Sequence, residues 1–177
     1  MTKEIIIAGF GGQGVVSSGI ILGYAGLIED KHVTFFPSYG AEMRGGTANC
    51  SVVISSEPVA SPIVANPDVV VIMNEPSLAR FESTLKSRGL LFFNQTLIKS
   101  KPKRNDITVI PVEANAIAED LGQGRIANMV MLGVMAKKTG LLKIETLKRA
   151  QRKRFTKADE KQLLLNDKAL ERGYALL

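Results

Sequence analysis

Four glycines in six residues, Gly9-Phe-Gly-Gly-Gln-Gly14, follow directly on the apolar run Glu4–Ala8, and no other feature narrows the fold as much. The run Ile5-Ile6-Ile7 is short and β-branched, so Glu4–Ala8 reads as a buried strand that ends at Gly9. Gly14–Ile28 has apolar residues at 15, 16, 20, 21, 22, 25, 27 and 28 and reads as a mostly buried helix. Its glycines at 19, 23 and 26 lower helix propensity, which points to close packing. Gly9, Gly11 and Gly14 meet the G-x-G-x-x-G spacing between a strand and a helix, the context that gives the pattern meaning. A loop without Cβ atoms lets backbone N–H groups close around a phosphate. The helix N-terminus adds roughly 0.3–1 kcal/mol for a negative charge. The plainer alternative is that the glycines serve only a tight turn and close packing.

The remaining pattern alternates. His32–Phe36 is a second strand, stopped by Pro37; Ser38–Gly46 is a loop; Thr47–Ser55 is a third strand. No helix separates the second and third strands, so as neighbours they are antiparallel and the sheet is mixed. Pro58, Pro62 and Pro67 punctuate a long connection to the strand Asp68–Met73. A helix Pro76–Lys86, a strand Leu90–Asn94, a strand Ile107–Pro111 and a short helix Ala114–Leu121 follow. The Met-rich helix Ile126–Lys138 ends at Gly140, and helices Ile144–Phe155 and Ala158–Leu170 close the chain. The expectation is one domain over residues 1–177. It is a three-layer α/β/α sandwich with a mixed, mostly parallel sheet, a helical C-terminal end, and ligands at the carboxyl ends of the strands.

Two common readings of the glycine loop fail on detail. A P-loop needs Lys-Ser/Thr after its last glycine, where this chain has Val15-Val16. A nicotinamide dinucleotide site wants an acid at the end of the second strand, where Phe36-Pro37-Ser38 stand. A stand-alone nicotinamide-binding enzyme or sensor therefore remains as the alternative, weakened by that missing acid. The segment Phe36–Cys50 leaves the second strand at the same sheet edge. It sets Gly40 and Gly45-Gly46 around Glu42 and Arg44. Arg44 either pairs with Glu42 or presents its planar fork to a phosphate or carboxylate.

Composition limits the chemistry. One cysteine, Cys50, and one histidine, His32, cannot build a Cys/His zinc site or an iron–sulfur cluster, and no tight acidic cluster suggests another metal. No metal ligands and no catalytic residues are assigned to this chain. The single cysteine, a start without an apolar leader and the lack of any membrane-length apolar run predict a soluble cytoplasmic protein. The net charge of +6 is concentrated in residues 137–161, where ten basic residues face three acidic ones. That segment is either a solvated helix face or a docking surface for an acidic partner or anionic ligand. With Phe155 as its one aromatic and no known motif, it makes a poor nucleic-acid module.

Several ordered motifs carry a resemblance: Gly9–Gly14 with Gln13, then Pro37-Ser-Tyr-Gly-x-Glu-Met-Arg-Gly-Gly-Thr-Ala-Asn-Cys50, then Pro67-Asp68 and Met73-Asn-x-Pro-Ser-Leu78. Together they resemble the γ subunit of 2-oxoacid:ferredoxin oxidoreductases (the pyruvate/ketoisovalerate oxidoreductase catalytic-domain family), most of all its 2-oxoglutarate type. Ala41 stands where that pattern leads one to expect proline. The resemblance implies a non-autonomous subunit of a complex that oxidatively decarboxylates a 2-oxoacid, 2-oxoglutarate in this branch, to an acyl-coenzyme A. Thiamine diphosphate with magnesium and the iron–sulfur clusters would belong to the α, β and ferredoxin-like partner subunits, and ferredoxin would accept the electrons. No thiamine motif and no set of cluster cysteines occurs here, which fits that division. On this chain the coenzyme A contacts implied are Gly9, Gly11, Gly12, Gln13 and Gly14, with Ser38, Tyr39, Glu42 and Arg44 shaping the adjacent wall. Asn74 is either a further contact or the cap of the helix near Pro76.

Overall fold

The computed structural model describes residues 1–40 and 46–177. Among these residues six strands form one sheet: β1 (Thr2–Phe10), β2 (His32–Tyr39), β3 (Thr47–Ser55), β4 (Val69–Ile72), β5 (Leu90–Asn94) and β6 (Thr108–Val112). Their order across the sheet is β2-β3-β1-β4-β5-β6. β1 lies parallel to β4, β4 to β5 and β5 to β6, while β3 runs antiparallel to both β1 and β2. The sheet is mixed for the reason read from the sequence. A loop too short for a crossover helix joins β2 to β3, so the second strand must return antiparallel.

Alternation along β1 divides the core. Ile5 and Ile7 face a layer made by α1 (Val15–Ile28), α3 (Ala114–Asp120), α4 (Ala127–Thr139), α5 (Ile144–Arg154) and α6 (Glu160–Tyr174). Ile6 and Ala8 face α2 (Glu75–Phe81), a 3-10 turn at Glu82–Thr84, and the connection carrying Val59 and Val64. Helices thus cover both faces, with the C-terminal helices on one side. Ala127–Ala136 of α4 are buried throughout, which explains why that stretch, Asn128 apart, is apolar on all sides before Lys137 and Lys138. Gly140, at φ 59°, caps it in the left-handed conformation.

The second strand runs past its expected end. Pro37 sits inside β2, opposite Cys50 of β3. A proline is tolerated here because β2 is the outermost strand and has a neighbour on one side only. Ser38 and Tyr39 consequently lie on a strand rather than on a loop. The helix expected over 76–86 is shorter, because α2 tightens into the 3-10 turn after Phe81. The last helix extends to Tyr174, and Asp159 caps its start by accepting the Gln162 N–H at 2.8 Å.

Candidate functional site

The glycine loop leaves β1 at the carboxyl end of the parallel strands and enters α1 through Gly14. Gly12 has φ +98° and Gly14 φ +73°, a region that L side chains rarely adopt, so both positions require glycine. Gly9, still within β1, is constrained by space: a Cβ there would lie 2.6 Å from Gln13 Oε1 and 2.8 Å from Met73 Cβ. A Cβ on Gly14 would meet Asn128 Nδ2 at 2.5 Å. Gly12 differs, since a Cβ there would meet nothing within 4 Å. Gly9 and Gly14 are therefore packed from within, and Gly11 and Gly12 form the outer rim.

Hydrogen bonds hold this rim. Gly11 N–H donates to the Gly46 carbonyl at 3.0 Å and Gln13 N–H to the Phe10 carbonyl at 3.1 Å. The Gln13 side chain accepts from Phe10 N–H at 2.7 Å and donates to the Met73 carbonyl at 3.0 Å, so its polar atoms serve the scaffold. Asn128, the buried amide at the start of α4, donates to the Gly14 carbonyl and to Ser18 Oγ from the opposite side. Helix α1 has no side-chain cap and no acid in its first turn. The N–H groups of Val15, Val16 and Ser17 have no acceptor among the described residues. Free N–H groups at a helix N-terminus are of the kind that suits an anion.

Two clefts flank the loop. The larger, ≈ 360 Å³, lies between Gly11, Gly12, Gly14, the first turn of α1, Tyr39 of β2 and Arg154 at the end of α5. The smaller, ≈ 210 Å³, is lined by Gly12, Gln13, Met73, Asn115, Gly124, Arg125 and Ala127. Gly11, Gly12, Gly14 and Tyr39 thus line one cleft. Ser38 is half-buried and lines neither cleft. Asn74 is buried and caps α2, accepting Ser77 N–H at 3.0 Å, which is the capping alternative left open by the sequence. Glu42 and Arg44 lie outside the described residues. Arg154, Arg125, Asn115 and Asn128 were not anticipated, and the last had a signal, a lone amide in an otherwise apolar helix.

The one thiol is no catalyst. Cys50 Sγ lies beneath the first turn of α1 and donates to the Val15 carbonyl at 3.5 Å. Burial pushes its pKa up to about 12, against smaller opposing hydrogen bonds from the backbone of Gly19 and Ile7. Among the described residues no three His, Cys, Asp or Glu side chains gather to hold a metal ion. No helix among them is long and apolar enough to cross a membrane.

A family model for pyruvate ferredoxin/flavodoxin oxidoreductase matches residues 4–176. The chain belongs to this family. Among curated members it is 44% identical over 171 residues to the ketoisovalerate oxidoreductase subunit VorA of Methanothermobacter marburgensis, covering 96% of this chain and 35% of that protein. It is 34% identical over 177 residues to the 2-oxoglutarate synthase subunit KorC of Methanocaldococcus jannaschii, covering 98% of this chain and 93% of that one. The chain therefore spans about a third of the first relative and nearly all of the second. Solved members agree. The 2-oxoglutarate:ferredoxin oxidoreductase of Magnetococcus marinus, with 2-oxoglutarate, coenzyme A and succinyl-CoA bound, matches with TM-score 0.90 and 26% identity, over 99% of this chain and 31% of that chain. The keto/oxoacid ferredoxin oxidoreductase gamma subunit of Geobacter sulfurreducens matches with TM-score 0.83 and 28% identity, over 98% and 96%.

Proposed function

We propose that this chain is the γ subunit of a cytoplasmic 2-oxoacid:ferredoxin oxidoreductase and that its glycine loop forms part of the coenzyme A site. The observation that carries the reading is the open rim at Gly11 and Gly12, set against uncapped N–H groups of α1 in a chain whose family match runs almost end to end. A diphosphate-bearing thiol ester carrier is the family substrate that such a rim suits. Gly12 and the α1 backbone would bind and orient it, Gly11 would leave room for its close approach, Tyr39 would wall the cleft, and Gly9, Gln13 and Gly14 would hold the loop's shape. Ser38 would hold Tyr39 in place from the adjoining position of β2, and Asn74 would act only as the cap of α2.

The residues of this chain do not fit thiamine diphosphate, magnesium or an iron–sulfur cluster. Its one cysteine is sealed and its described acids do not converge. We assign those groups to α, β and ferredoxin-like partners, and derive no step through them here. For the substrate we favour 2-oxoglutarate, on the nearly full-length correspondence with a 2-oxoglutarate synthase subunit together with the TM-score of 0.90 to a 2-oxoglutarate:ferredoxin oxidoreductase. A branched 2-oxoacid is the second reading, favoured by the higher identity to the ketoisovalerate subunit.

The test is a Gly12→Val substitution in the complex purified with its natural partners. Valine at positive φ, on the ligand side of the loop, should weaken coenzyme A use at least about 10-fold. Unchanged coenzyme A titration with unchanged melting would return the loop to a purely structural role. On the wild-type complex, turnover with 2-oxoglutarate should exceed turnover with 3-methyl-2-oxobutanoate and pyruvate, and the reverse order selects the second reading.

A further inference from the structure

The basic run at the C-terminal end divides by partnership. Lys148 pairs with Glu145 at 2.9 Å and Glu171 at 2.6 Å, and Arg152 with Asp167 at 2.7 Å and Glu160 at 3.2 Å. These charges are met by acids of their own helix and of α6 with its approach. Arg154, the last residue of α5, meets no carboxylate among the described residues. Its Nη2 donates to Ser17 Oγ at 3.3 Å, its guanidinium lies 5.2 Å from the Phe155 ring centre, and its Nε is buried without a partner. A guanidinium carries five N–H donors, so most of this fork has no acceptor. The buried Nε–H is left unsatisfied at a cost, and the other N–H groups of the fork that do not reach Ser17 are open to solvent or to an anion.

The fork lines the larger cleft and, among the described residues that do so, is the charged side chain. Across from it stand Gly11, Gly12 and the uncapped start of α1, with Ser17 joining the two walls through its hydroxyl. One wall thus offers backbone N–H groups and a partial positive charge, and the other a planar cationic fork. A diphosphate has two adjoining anionic groups, one for each wall.

We propose that Arg154 is the side-chain cation of this site, gripping the diphosphate of coenzyme A against the N-terminus of α1. The proposal rests on the reading that the loop takes coenzyme A. It assigns the larger cleft to the diphosphate and gives one residue of the basic run a role outside the family motifs.

The experiment compares Arg154→Ala, Arg154→Lys and Gly12→Val in the assembled complex, each titrated with coenzyme A, 3′-dephospho-coenzyme A and pantetheine. Arg154→Ala should raise the half-saturating concentration of coenzyme A by about 10- to 100-fold. The penalty should be equal for 3′-dephospho-coenzyme A, which keeps the diphosphate, and should vanish for pantetheine, which lacks it. Arg154→Lys should recover only part, because a point charge does not reproduce a planar fork. The assignment is overturned if coenzyme A titration is unchanged in Arg154→Ala, if the penalty disappears with 3′-dephospho-coenzyme A, or if it persists with pantetheine. Should Arg154→Ala fail to assemble, the Arg154→Lys series decides by the same comparisons. If Gly12→Val weakens coenzyme A use and the Arg154 variants do not, Arg154 is excluded and the loop reading stands. If none does, the loop reading falls as well.

Discussion

Gln13 Nε2 donates to the carbonyl of Met73 at 3.0 Å, tying the turn after β1 to the end of β4, 60 residues further on. The other end of the same amide accepts Phe10 N–H, so one side chain fixes both the turn and its distance from the neighbouring strand. Gln13→Ala removes two hydrogen bonds, the part-buried one to Met73 and the exposed one from Phe10, at about 0.5–1.5 kcal/mol each with the exposed one at the low end. Thermal melting should fall by about 2–4 °C per kcal/mol lost. Gln13→Glu should not rescue the Met73 contact, since an ionised carboxylate donates nothing. Equal melting of wild type and both variants would show that the loop is held by its backbone alone.

Two glycines of similar setting should respond to alanine with opposite signs. Gly133 of α4 abuts the Leu170 carbonyl of α6, and Gly173 returns the contact to the Val130 carbonyl, so the two helix backbones touch. Gly133→Ala should therefore destabilise by about 1–3 kcal/mol or more, outweighing the gain in helix propensity. Gly23 of α1 has Val33 Cγ1 as its nearest neighbour, 3.8 Å from an added Cβ. Gly23→Ala should stabilise by about 0.5–1 kcal/mol. Denaturant midpoints of the two variants provide the check, and a shift in the same direction would contradict this packing.

Cys50 makes stability depend on pH at the alkaline end. Its folded pKa, about 12, lies above the ordinary value of 9.0, so the unfolded chain releases the proton first. The associated stability is fully present below about pH 9 and is lost as pH rises toward 12. Between pH 8 and 11 the wild type should lose melting temperature faster than Cys50→Ala. Parallel curves would mean that the thiol is less shielded than its position beneath α1 implies.

Alone, the chain should not oxidise any 2-oxoacid, even with thiamine diphosphate, coenzyme A and a redox dye supplied. It has one cysteine, and that one is buried. Turnover by the purified chain at a rate near that of the complex would reject its assignment as a dependent subunit.

The strands were legible because the sheet is buried on both sides and its runs, such as Ile5–Ile7 and Val69–Ile72, are continuous and bounded by turns. The extent of β2 was not, because whether a proline ends a strand depends on whether that strand has one neighbour or two. The glycine loop announced itself locally, whereas Asn74 was open between a ligand contact and a cap until its bond to Ser77 N–H was seen. Arg154 and Asn128 did not announce themselves, since they reach the loop from 137 and 114 residues away in sequence. The basic run illustrates the same limit. Its charge was plain, but the partners that neutralise Lys148 and Arg152 include Glu171 and Asp167 of α6. Only the packing of α5 on α6 separates those residues from Arg154.

The position of β1 has a consequence for how the chain emerges from the ribosome. Of the six described strands the earliest in sequence is third across the sheet, and β4, β5 and β6 are added outward from it in the order of synthesis. Each of these meets an edge already waiting, whereas β2 must wait for β3, its one neighbour. The part of the apolar face that α4 covers on β5 stays open from residue 94 until residue 139 has been made. At about 5–20 residues per second that interval lasts a few seconds, the period in which the nascent chain most needs protection from aggregation.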